Sequence, residues 1–369
     1  MGLERNLPCS CGSGKKYKTC CMLKENKVQD YKVQNDLNKY LNFKKCHAPE
    51  FMIKEDKCQK IIKAHTISKS NNLKPISKDG HVYEFKKDYV SWKHNNKHIE
   101  INKIGINEAS TFFGFCSFHD TKLFMSFENN QFYFEDEQIF LISYRAIVRE
   151  LYIKKLTLKF YVEKLTKEYS KRVELDEKSK ALIKGTELGL NDISSIKEIY
   201  DSKIQSRRFS NIKYYAIIID SIPEVMASSA WTPEFDFNDN LLCNLMDESR
   251  VFHGICINTF AYNDNHGVIL FSWDEDEEIN ENYQFIKSLH NISNINKPKA
   301  ILKLLFTNIE NIYFAPQWWD NLSAKAQDKL KYRFNDAWNT SSKFSDYEEF
   351  YFVNWNIVDI KTNIEAYIP

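Results

Sequence analysis

Two stretches organise the N-terminal half of the chain: CQKIIKAHTIS at 58–68 and GFCSFHDTKLF at 114–124. Each combines an apolar run with residue types that bind metals. Cys116 and His119 are separated by two residues, a spacing that lets both side chains reach one ion from a turn. Two cysteines nearer the N-terminus supply the other pair, with His47 as an alternative. The predicted structural zinc ligands are Cys46, Cys58, Cys116 and His119.

This pattern predicts a treble clef, in which a knuckle and the start of a helix each supply two zinc ligands. Residues 46–120, about a fifth of the chain, resemble the HNH nuclease superfamily. The resemblance implies that His65 and Asp120 bind a catalytic divalent ion. Thr66 falls on the position of the general-base histidine, and a hydroxyl cannot take a proton from water near neutral pH. His81 is the candidate substitute for that base.

The most specific motif lies at 8–21 and reads PCSCGSGKKYKTCC. Two Cys pairs at this spacing can close a tetrahedral zinc site. Gly12 and Gly14 allow the tight turn that brings the two halves together. Because so short a segment has almost no core, metal binding would supply most of its folding free energy. The predicted ligands of this first site are Cys9, Cys11, Cys20 and Cys21.

This run resembles the SEC-C motif, named for the zinc tail of the bacterial preprotein translocase ATPase. The resemblance implies zinc binding and a bacterial source. It does not imply secretion, because the motif is attached to many unrelated proteins. Lys15, Lys16 and Lys18 help to offset the charge of the thiolates and are candidate nucleic-acid contacts. Ribosomal RNA and a protein partner both suit this basic loop, and the choice stays open.

The charge is unevenly distributed along the chain. The formal net charge is +1, with 51 Lys and Arg against 50 Asp and Glu. Residues 1–80 nevertheless hold 17 basic and 8 acidic residues, a difference of +9, so the remainder carries −8. A basic front end on an acidic body favours a polyanion-binding module. A solvated lysine-rich surface explains the same numbers equally well.

The composition is that of a folded protein. Hydrophobic residues make up 43% of the 369 residues, and only 10 Gly and 8 Pro occur, which argues against a disordered chain. This length predicts two or three domains. We find neither a signal peptide nor an apolar run long enough to span a membrane. A cytoplasmic location follows, in which clustered cysteines bind metals rather than form disulfides.

The predicted fold class is α+β with several domains. The predicted segments are the SEC-C zinc motif at 1–23, a spacer helix at 24–45, the treble-clef or HNH-like domain at 46–135, a helical connector at 136–208 and an α+β domain at 209–369.

Within the connector, apolar periodicity predicts a first helix from 138 onward, a second around 182–188 and a third at 193–200. Arg145, Arg149 and Glu150 lie in the first of these and are interpreted as surface or paired charges. No histidine occurs between His119 and His253. The histidine-containing signature of helical ribonucleases is therefore absent from the connector.

In the last segment, the strand-like run at 225–232 is expected beside the run at 214–220. The turn at 263–265 predicts a hairpin between its flanking apolar runs. Glu310 could line a pocket with Trp318 and Trp319, although such aromatic residues usually form core. We find no phosphate-binding loop, nucleophile motif or dinucleotide fingerprint in this segment, which leaves its function open.

Three functional hypotheses remain. The first is a zinc-binding protein with two structural sites, whose basic half contacts nucleic acid or a ribosome-linked partner. The second is a metal-dependent nuclease that uses Mg²⁺ or Mn²⁺ held by His65 and Asp120. The third is an adaptor that binds a protein partner without nucleic acid. HNH-like domains and SEC-C motifs both occur in bacterial phage-conflict proteins, so these resemblances also suggest a role in phage defence.

Overall fold

The computed structural model describes most of the chain and shows an α+β fold, as the sequence predicts. It describes residues 6–9, 13–20, 35–85, 99–128, 131–163, 177–275, 280–336, 345–347, 350 and 352–364. Within these ranges, no helix combines the length and the apolar character that a membrane span needs.

Ten strands are described. In chain order they are β1 Ile61–His65, β2 His81–Phe85, β3 Ile101–Gly105, β4 Thr111–Cys116, β5 Ile212–Ile219, β6 Val225–Trp231, β7 Ile255–Ala261, β8 Gly267–Asp274, β9 Ile312–Phe314 and β10 Ile357–Thr362. Among the described strands, β1 pairs only with β4. The other strands form one eight-stranded sheet in the order β10-β5-β8-β7-β6-β9-β2-β3. Neighbours in this sheet are antiparallel.

The helices range from one turn to eight turns. They are α1 Glu50–Glu55, α2 Lys74–Ile76, α3 Ser117–Glu128, α4 Asp136–Phe160, α5 Glu177–Ser206, α6 Asn280–His290, α7 Lys297–Asn308, α8 Pro316–Asp320 and α9 Ala324–Asp336. Residues 35–41, within the predicted spacer, are also helical. A π-helical turn at Lys69–Leu73 precedes α2, and a 3-10 turn covers Tyr17–Thr19.

The large sheet separates two hydrophobic cores, because alternate residues of a strand face opposite sides. On β5, Tyr215 and Ile217 pack in one core with apolar residues of α6, α7 and α9. Ala216 and Ile218 pack in the other core with α4. α4 lies between the sheet and the β1–β4 unit, so even consecutive residues such as 139–142 are buried in it. A helix covered on both sides is apolar around its whole circumference.

The hairpin predicted around 263–265 is confirmed. β7 and β8 pair in antiparallel register from Ala261 and Gly267 onward. Gly267 is required by a close approach, since a Cβ atom there would lie 2.3 Å from Pro223 Cδ.

Two details of the sequence prediction are wrong. β6 does not lie beside β5, because β8 and β10 already occupy both edges of β5, and β6 pairs with β7 and β9 instead. The two helices expected at 182–188 and 193–200 form one continuous helix, α5. Its buried residues Ile193, Ile196 and Tyr200 lie along the face that packs on α4, and that packing carries the helix through the polar residues between the predicted pieces.

β2 and β3 belong to the predicted N-terminal half, but they extend the sheet formed by strands from 209–369. β2 pairs with β9 at Tyr83 and Phe314. The domain limits stay a prediction. In the described residues, no strand pairing joins the β1–β4 pair to this sheet. The pair packs on α4, and α4 in turn packs on the sheet.

Candidate metal centre

Four side chains meet where the β1–β4 pair joins α3. Nδ1 of His119 lies 3.5 Å from Sγ of Cys46, 3.5 Å from Sγ of Cys58 and 3.2 Å from Sγ of Cys116. The four ligand atoms all lie within 4.8 Å of one another. Tetrahedral zinc, with Zn–S near 2.3 Å and Zn–N near 2.0 Å, places sulfur and nitrogen about 3.5 Å apart. The group therefore has the donor set and the spacing to hold a metal ion.

Local structure positions each donor. Cys116 ends β4 and pairs with Ile61 at the start of β1, and His119 follows in the first turn of α3. Cys46 lies in a segment that runs along β4, since the backbone N–H of His47 donates to the carbonyl of Gly114 at 2.7 Å. α1 spans most of the interval between Cys46 and Cys58. This short helix closes an interval that is long for a knuckle.

The three cysteine donors belong to the apolar core that α4 shares with the β1–β4 pair. Cys46, Cys116 and His119 are buried, and so is Phe115 beneath them. Burial raises the pKa of the Cys58 thiol to about 12, and the neighbouring thiols add to the rise. Burial likewise raises the pKa of Cys46. Three thiolates so close together repel one another, and a divalent cation is the species that offsets this repulsion. The residues therefore fit a zinc ion.

A carboxylate stands behind the histidine donor. Nε2 of His119 is buried and has no hydrogen-bond partner among the described residues. Oδ2 of Asp56 lies 4.0 Å from that nitrogen, and Lys122 Nζ donates to the same oxygen at 2.7 Å. Histidine ligands of metals usually direct their second ring nitrogen toward a carboxylate or carbonyl. Asp56 is in place to orient the ring so that Nδ1 faces the sulfurs.

His47 is separate from this cluster. Its ring packs against Tyr152, with ring centroids 5.9 Å apart. Burial lowers its pKa to about 4, and the charges of Lys197, Lys155 and Lys45 contribute to the shift. The structure thus places Cys46, not the alternative His47, beside the other donors.

Asp120 faces a buried arginine. Its Oδ1 lies 3.9 Å from Nη2 of Arg145, and Nη1 of the same guanidinium donates to Glu128 at 2.7 Å. The guanidinium also stacks on Phe124, 4.0 Å from the ring centroid. Burial raises the pKa of Asp120 to about 6, although the charge of Arg145 lowers it and that of Glu128 raises it. These contacts link α3 to α4 by charge and by stacking.

Of the two interpretations of Arg145, a surface charge or a paired charge, the structure supports the paired one, because Arg145 is buried and pairs with Glu128. Only 1% of its side chain is exposed, because α4 is covered on both sides. The sequence signal for such a residue is a single arginine in an otherwise apolar helical run, IFLISYRAIV at 139–148. A charge buried in this way needs partners of opposite sign. Asp56 and Glu128, the other polar residues that sequence reasoning missed, carry no comparable signal.

The three candidate catalytic residues lie in different surroundings. His65 pairs with Thr111, at the end of the β1–β4 pair opposite to Cys116, and its Nε2 lies 3.0 Å from the carbonyl of Ile106. Burial lowers the pKa of His65. His81 begins β2 in the large sheet, where Nδ1 lies 2.7 Å from the carbonyl of Asp79. No described hydrogen bond or ion pair joins either histidine to Asp120, and the catalytic assignment stays a prediction.

Thr66, at the predicted general-base position, is 5% exposed. Its hydroxyl has no hydrogen-bond partner within the described ranges. It contributes to a cavity of about 320 Å³ that Glu128 and Arg145 also line. This threonine therefore lines the same cavity as Glu128 and Arg145, and no described residue forms a hydrogen bond that would activate its hydroxyl.

Part of the N-terminal cysteine motif is described. Cys9 and Cys20 are both buried, and the N–H of Cys9 donates to the carbonyl of Lys15 at 2.7 Å. Gly14 has a φ of +68°, the left-handed conformation that glycine adopts without strain. Lys15, Lys16 and Lys18 are exposed. Cys11 and Cys21, the other predicted ligands, lie outside the described residues.

Comparisons with known proteins add one finding. Residues 5–23 match the family model of the SEC-C motif, a match that covers the N-terminal cysteine motif and leaves the rest of the chain unassigned. No curated protein and no solved structure matches the chain. The chain therefore carries a SEC-C motif and, separately, a Cys/His cluster that could hold a metal ion.

Proposed function

We propose that this protein binds two structural zinc ions and uses its basic N-terminal part to bind nucleic acid. One ion would be held by the four cysteines of the SEC-C motif, and the other by Cys46, Cys58, Cys116 and His119. The observation that carries the second site is the position of His119 Nδ1, which lies within 3.5 Å of three sulfur atoms. At each position the zinc ion cross-links separate parts of the chain and has no catalytic role.

The metal content of the purified protein tests the first half of the proposal. We expect two zinc ions per chain, falling to one in Cys116→Ser. Cys243→Ser is the matched control, because Cys243 is a buried thiol near the carbonyl of Pro233 and lies outside the cluster. An equal zinc content in wild type and Cys116→Ser would refute the second site.

Nucleic-acid binding is supported by charge. Lys15, Lys16 and Lys18 are exposed, and residues 1–80 carry an excess of nine positive charges. Contacts to phosphates release counterions, so the affinity should fall steeply as salt concentration rises.

Fluorescence anisotropy with labelled single-stranded RNA and duplex DNA measures this dependence. We expect the triple variant of Lys15, Lys16 and Lys18 to glutamine to bind more weakly and to show a smaller salt slope. The control removes three exposed lysines outside the basic part, Lys180, Lys287 and Lys325, and should change neither quantity. Absent binding, or binding that is independent of salt, would refute this half of the proposal and favour a protein partner.

The nuclease alternative has a separate test. It requires cleavage that Mg²⁺ or Mn²⁺ supports and that His65→Ala abolishes while the zinc content and the circular dichroism spectrum remain unchanged. The contact of Asp120 with Arg145 favours a structural role for this carboxylate over metal binding. Cleavage that is equal in wild type and His65→Ala would exclude the predicted site. We also propose a bacterial source and a role in phage defence. These two proposals are supported only by the resemblances to the SEC-C motif and to the HNH nuclease superfamily.

A further inference from the structure

An aromatic ring is held at the surface in the segment that leads into the metal centre. Phe43 is 51% exposed and lies in the stretch 43–47, which forms neither helix nor strand. The backbone of this stretch is nevertheless fixed. The N–H of Lys45 donates to the carbonyl of Phe113 on β4 at 3.2 Å, and the hydroxyl of Tyr152 on α4 lies 2.8 Å from the carbonyl oxygen of Phe43. The exposed ring is therefore carried by a backbone that two neighbouring elements hold in place.

Lysine side chains border this ring. Nζ of Lys159 lies 5.6 Å from the centroid of the Phe43 ring. Nζ of Lys44, the next residue along the chain, lies 5.0 Å from the centroid of the Phe113 ring. Lys155 precedes Lys159 by one turn of α4, so both side chains project from the same face of the helix. Positive charges from two separate parts of the chain thus meet at one aromatic surface.

These charges have no acidic partners. Lys44, Lys45, Lys155 and Lys159 are all exposed, and none of the four forms an ion pair within the described ranges. Burial lowers the pKa of His47, and Lys155 and Lys45 lie close enough for their charges to lower it further. The positive charges of α4 and of the stretch 43–47 therefore act on the same place. Such a surface attracts a polyanion.

The combination of an exposed ring and unpaired lysines fits single-stranded nucleic acid. The phosphates of a strand pair with ammonium groups, and an unpaired base stacks on an exposed aromatic ring. In a duplex the faces of the bases are already stacked on one another. A polyanion without bases would pair with the lysines and leave the ring exposed.

We propose that Phe43, Lys44, Lys45, Lys155 and Lys159 form a surface that binds single-stranded nucleic acid. One base stacks on Phe43, and the neighbouring phosphates contact the four lysines. This inference rests on the proposed binding of nucleic acid. It adds a second contact surface, which lies next to the metal centre and outside the SEC-C motif, and it names unpaired strands as the ligand.

Fluorescence anisotropy of the full chain tests the proposal with labelled oligouridylate, oligothymidylate and a duplex, each about 12 nucleotides long. We expect Phe43→Ala to bind both strands about tenfold or more weakly than wild type, because a stacked base contributes to the affinity. Its affinity for the duplex should equal that of wild type. Binding of either strand supports the surface, and the ratio of the two affinities identifies RNA or DNA as the ligand.

Tyr332→Ala is the matched control for this change. Tyr332 is also 51% exposed, but it lies on α9, which packs on the opposite side of the large sheet from α4. The affinity of this control for the strands should equal that of wild type. Equal affinities for the strands in Phe43→Ala and wild type would overturn the proposal.

Two further changes at position 43 separate stacking from apolar contact. Phe43→Trp keeps an aromatic face and should bind the strands at least as tightly as wild type does. Phe43→Leu keeps apolar surface without an aromatic face and should bind about as weakly as Phe43→Ala. Equal affinities of the Phe43→Trp and Phe43→Leu proteins would overturn the stacking of a base on this residue.

A double change on α4 tests the lysines. Lys155→Gln combined with Lys159→Gln should weaken binding of the strands. The slope of log affinity against log salt concentration should decrease by about 1.4, since each phosphate contact of a single strand contributes about 0.7. Lys287→Gln combined with Lys325→Gln changes two exposed lysines of α6 and α9 and should leave the slope as in wild type. An unchanged slope in the α4 variant would overturn the role of these lysines.

The results also separate this inference from the proposed function. Absence of nucleic-acid binding by wild type would overturn both. Binding that the triple variant of Lys15, Lys16 and Lys18 weakens, while the variants of Phe43 and of α4 leave it unchanged, would overturn this inference alone. Zinc content and circular dichroism spectra equal to those of wild type establish that each variant is folded.

Discussion

The metal centre and the large sheet represent two different ways to stabilise a fold. The unit of β1, β4 and α3 is small, and four donor atoms converge at its centre. The sheet carries a core of closely packed aromatic residues, in which the ring centroid of Phe314 lies 5.2 Å from that of Phe85 and 5.0 Å from that of Trp319. The stability that the metal ion provides is lost when one ligand residue is mutated. The stability of the aromatic core is lost only when a mutation opens a cavity in it. Each should therefore respond to its own class of mutation.

Loss of a metal ligand should produce the largest effect. Cys116→Ser removes one thiolate, and without the ion the remaining thiols lose the species that holds them together. Structural zinc contributes on the order of 10 kcal/mol to small zinc-dependent folds. We expect hydrogen exchange of β1, β4 and α3 to accelerate by orders of magnitude while β7 and β8 remain protected. Unchanged protection of β4 in this variant would contradict the view that a metal ion stabilises the unit of β1, β4 and α3.

A cavity in the aromatic core should have the next largest effect. Phe314→Ala removes a fully buried ring from the end of β9, and we expect the free energy of unfolding in urea titrations to fall by about 3–5 kcal/mol. The zinc content should stay the same, because Phe314 lies on the sheet. Tyr332→Ala provides the control, since Tyr332 is 51% exposed and its loss should cost less than about 0.5 kcal/mol. A loss of zinc in Phe314→Ala would show that the two regions are not independent.

A buried lysine makes the stability of the sheet core depend on pH. Burial lowers the pKa of Lys303 to about 7, and the charge of Arg333 adds to the shift, whereas the charge of Asp239 and an ion pair with Asp346 oppose it. The unfolded chain keeps the ordinary value near 10.5, so between these values the unfolded state holds the extra proton. Wild-type stability should therefore rise with pH, by up to about 1.4 kcal/mol per unit of pH.

Lys303→Met should remove that rise. In wild type we expect the free energy of unfolding, measured by urea titration, to be higher at pH 9 than at pH 7. In Lys303→Met this difference between the two pH values should be smaller by roughly 2–3 kcal/mol. Lys287→Met, at an exposed position of α6, should keep the wild-type dependence. An identical pH profile in Lys303→Met and wild type would exclude Lys303 as its source.

The smallest effect should come from the residue behind the metal ligand. Asp56→Asn keeps the size of the side chain and removes the charge next to His119 Nε2. We expect zinc affinity, measured by competition with a chelator, to fall by about 10- to 100-fold with the fold intact. Glu55→Gln changes the adjacent exposed carboxylate and should leave the affinity unchanged. Equal affinities in both variants would show that the 4.0 Å approach of Asp56 does not orient the ring.

Several structural features were predictable because they depend on neighbours in sequence. The two-residue gap between Cys116 and His119 sets their common direction at the start of a helix. The hairpin of β7 and β8 follows from its turn residues and flanking strands. The helical character of α4 and α5 follows from apolar periodicity. In each case a few consecutive residues carry the whole signal.

Other features depended on distant contacts. The neighbours of β6 were predicted wrongly because both edges of β5 pair with β8 and β10, which follow later in the chain. The break expected within α5 is absent because packing on α4 stabilises the whole length of the helix. The pairing of Arg145 with Glu128 requires that α3 and α4 lie side by side, which no local pattern reveals.

The sequence by itself determined which residues can bind metals, since cysteine and histidine carry that chemistry in any fold. It also determined the SEC-C motif and the alternation of helices and strands. The tertiary structure decided that Cys46 and not His47 joins the other donors, which strands are neighbours and which charges are buried. The physical reason is range: propensity and spacing act over a few residues, whereas burial depends on elements that lie far apart in the chain, such as β2 and β9.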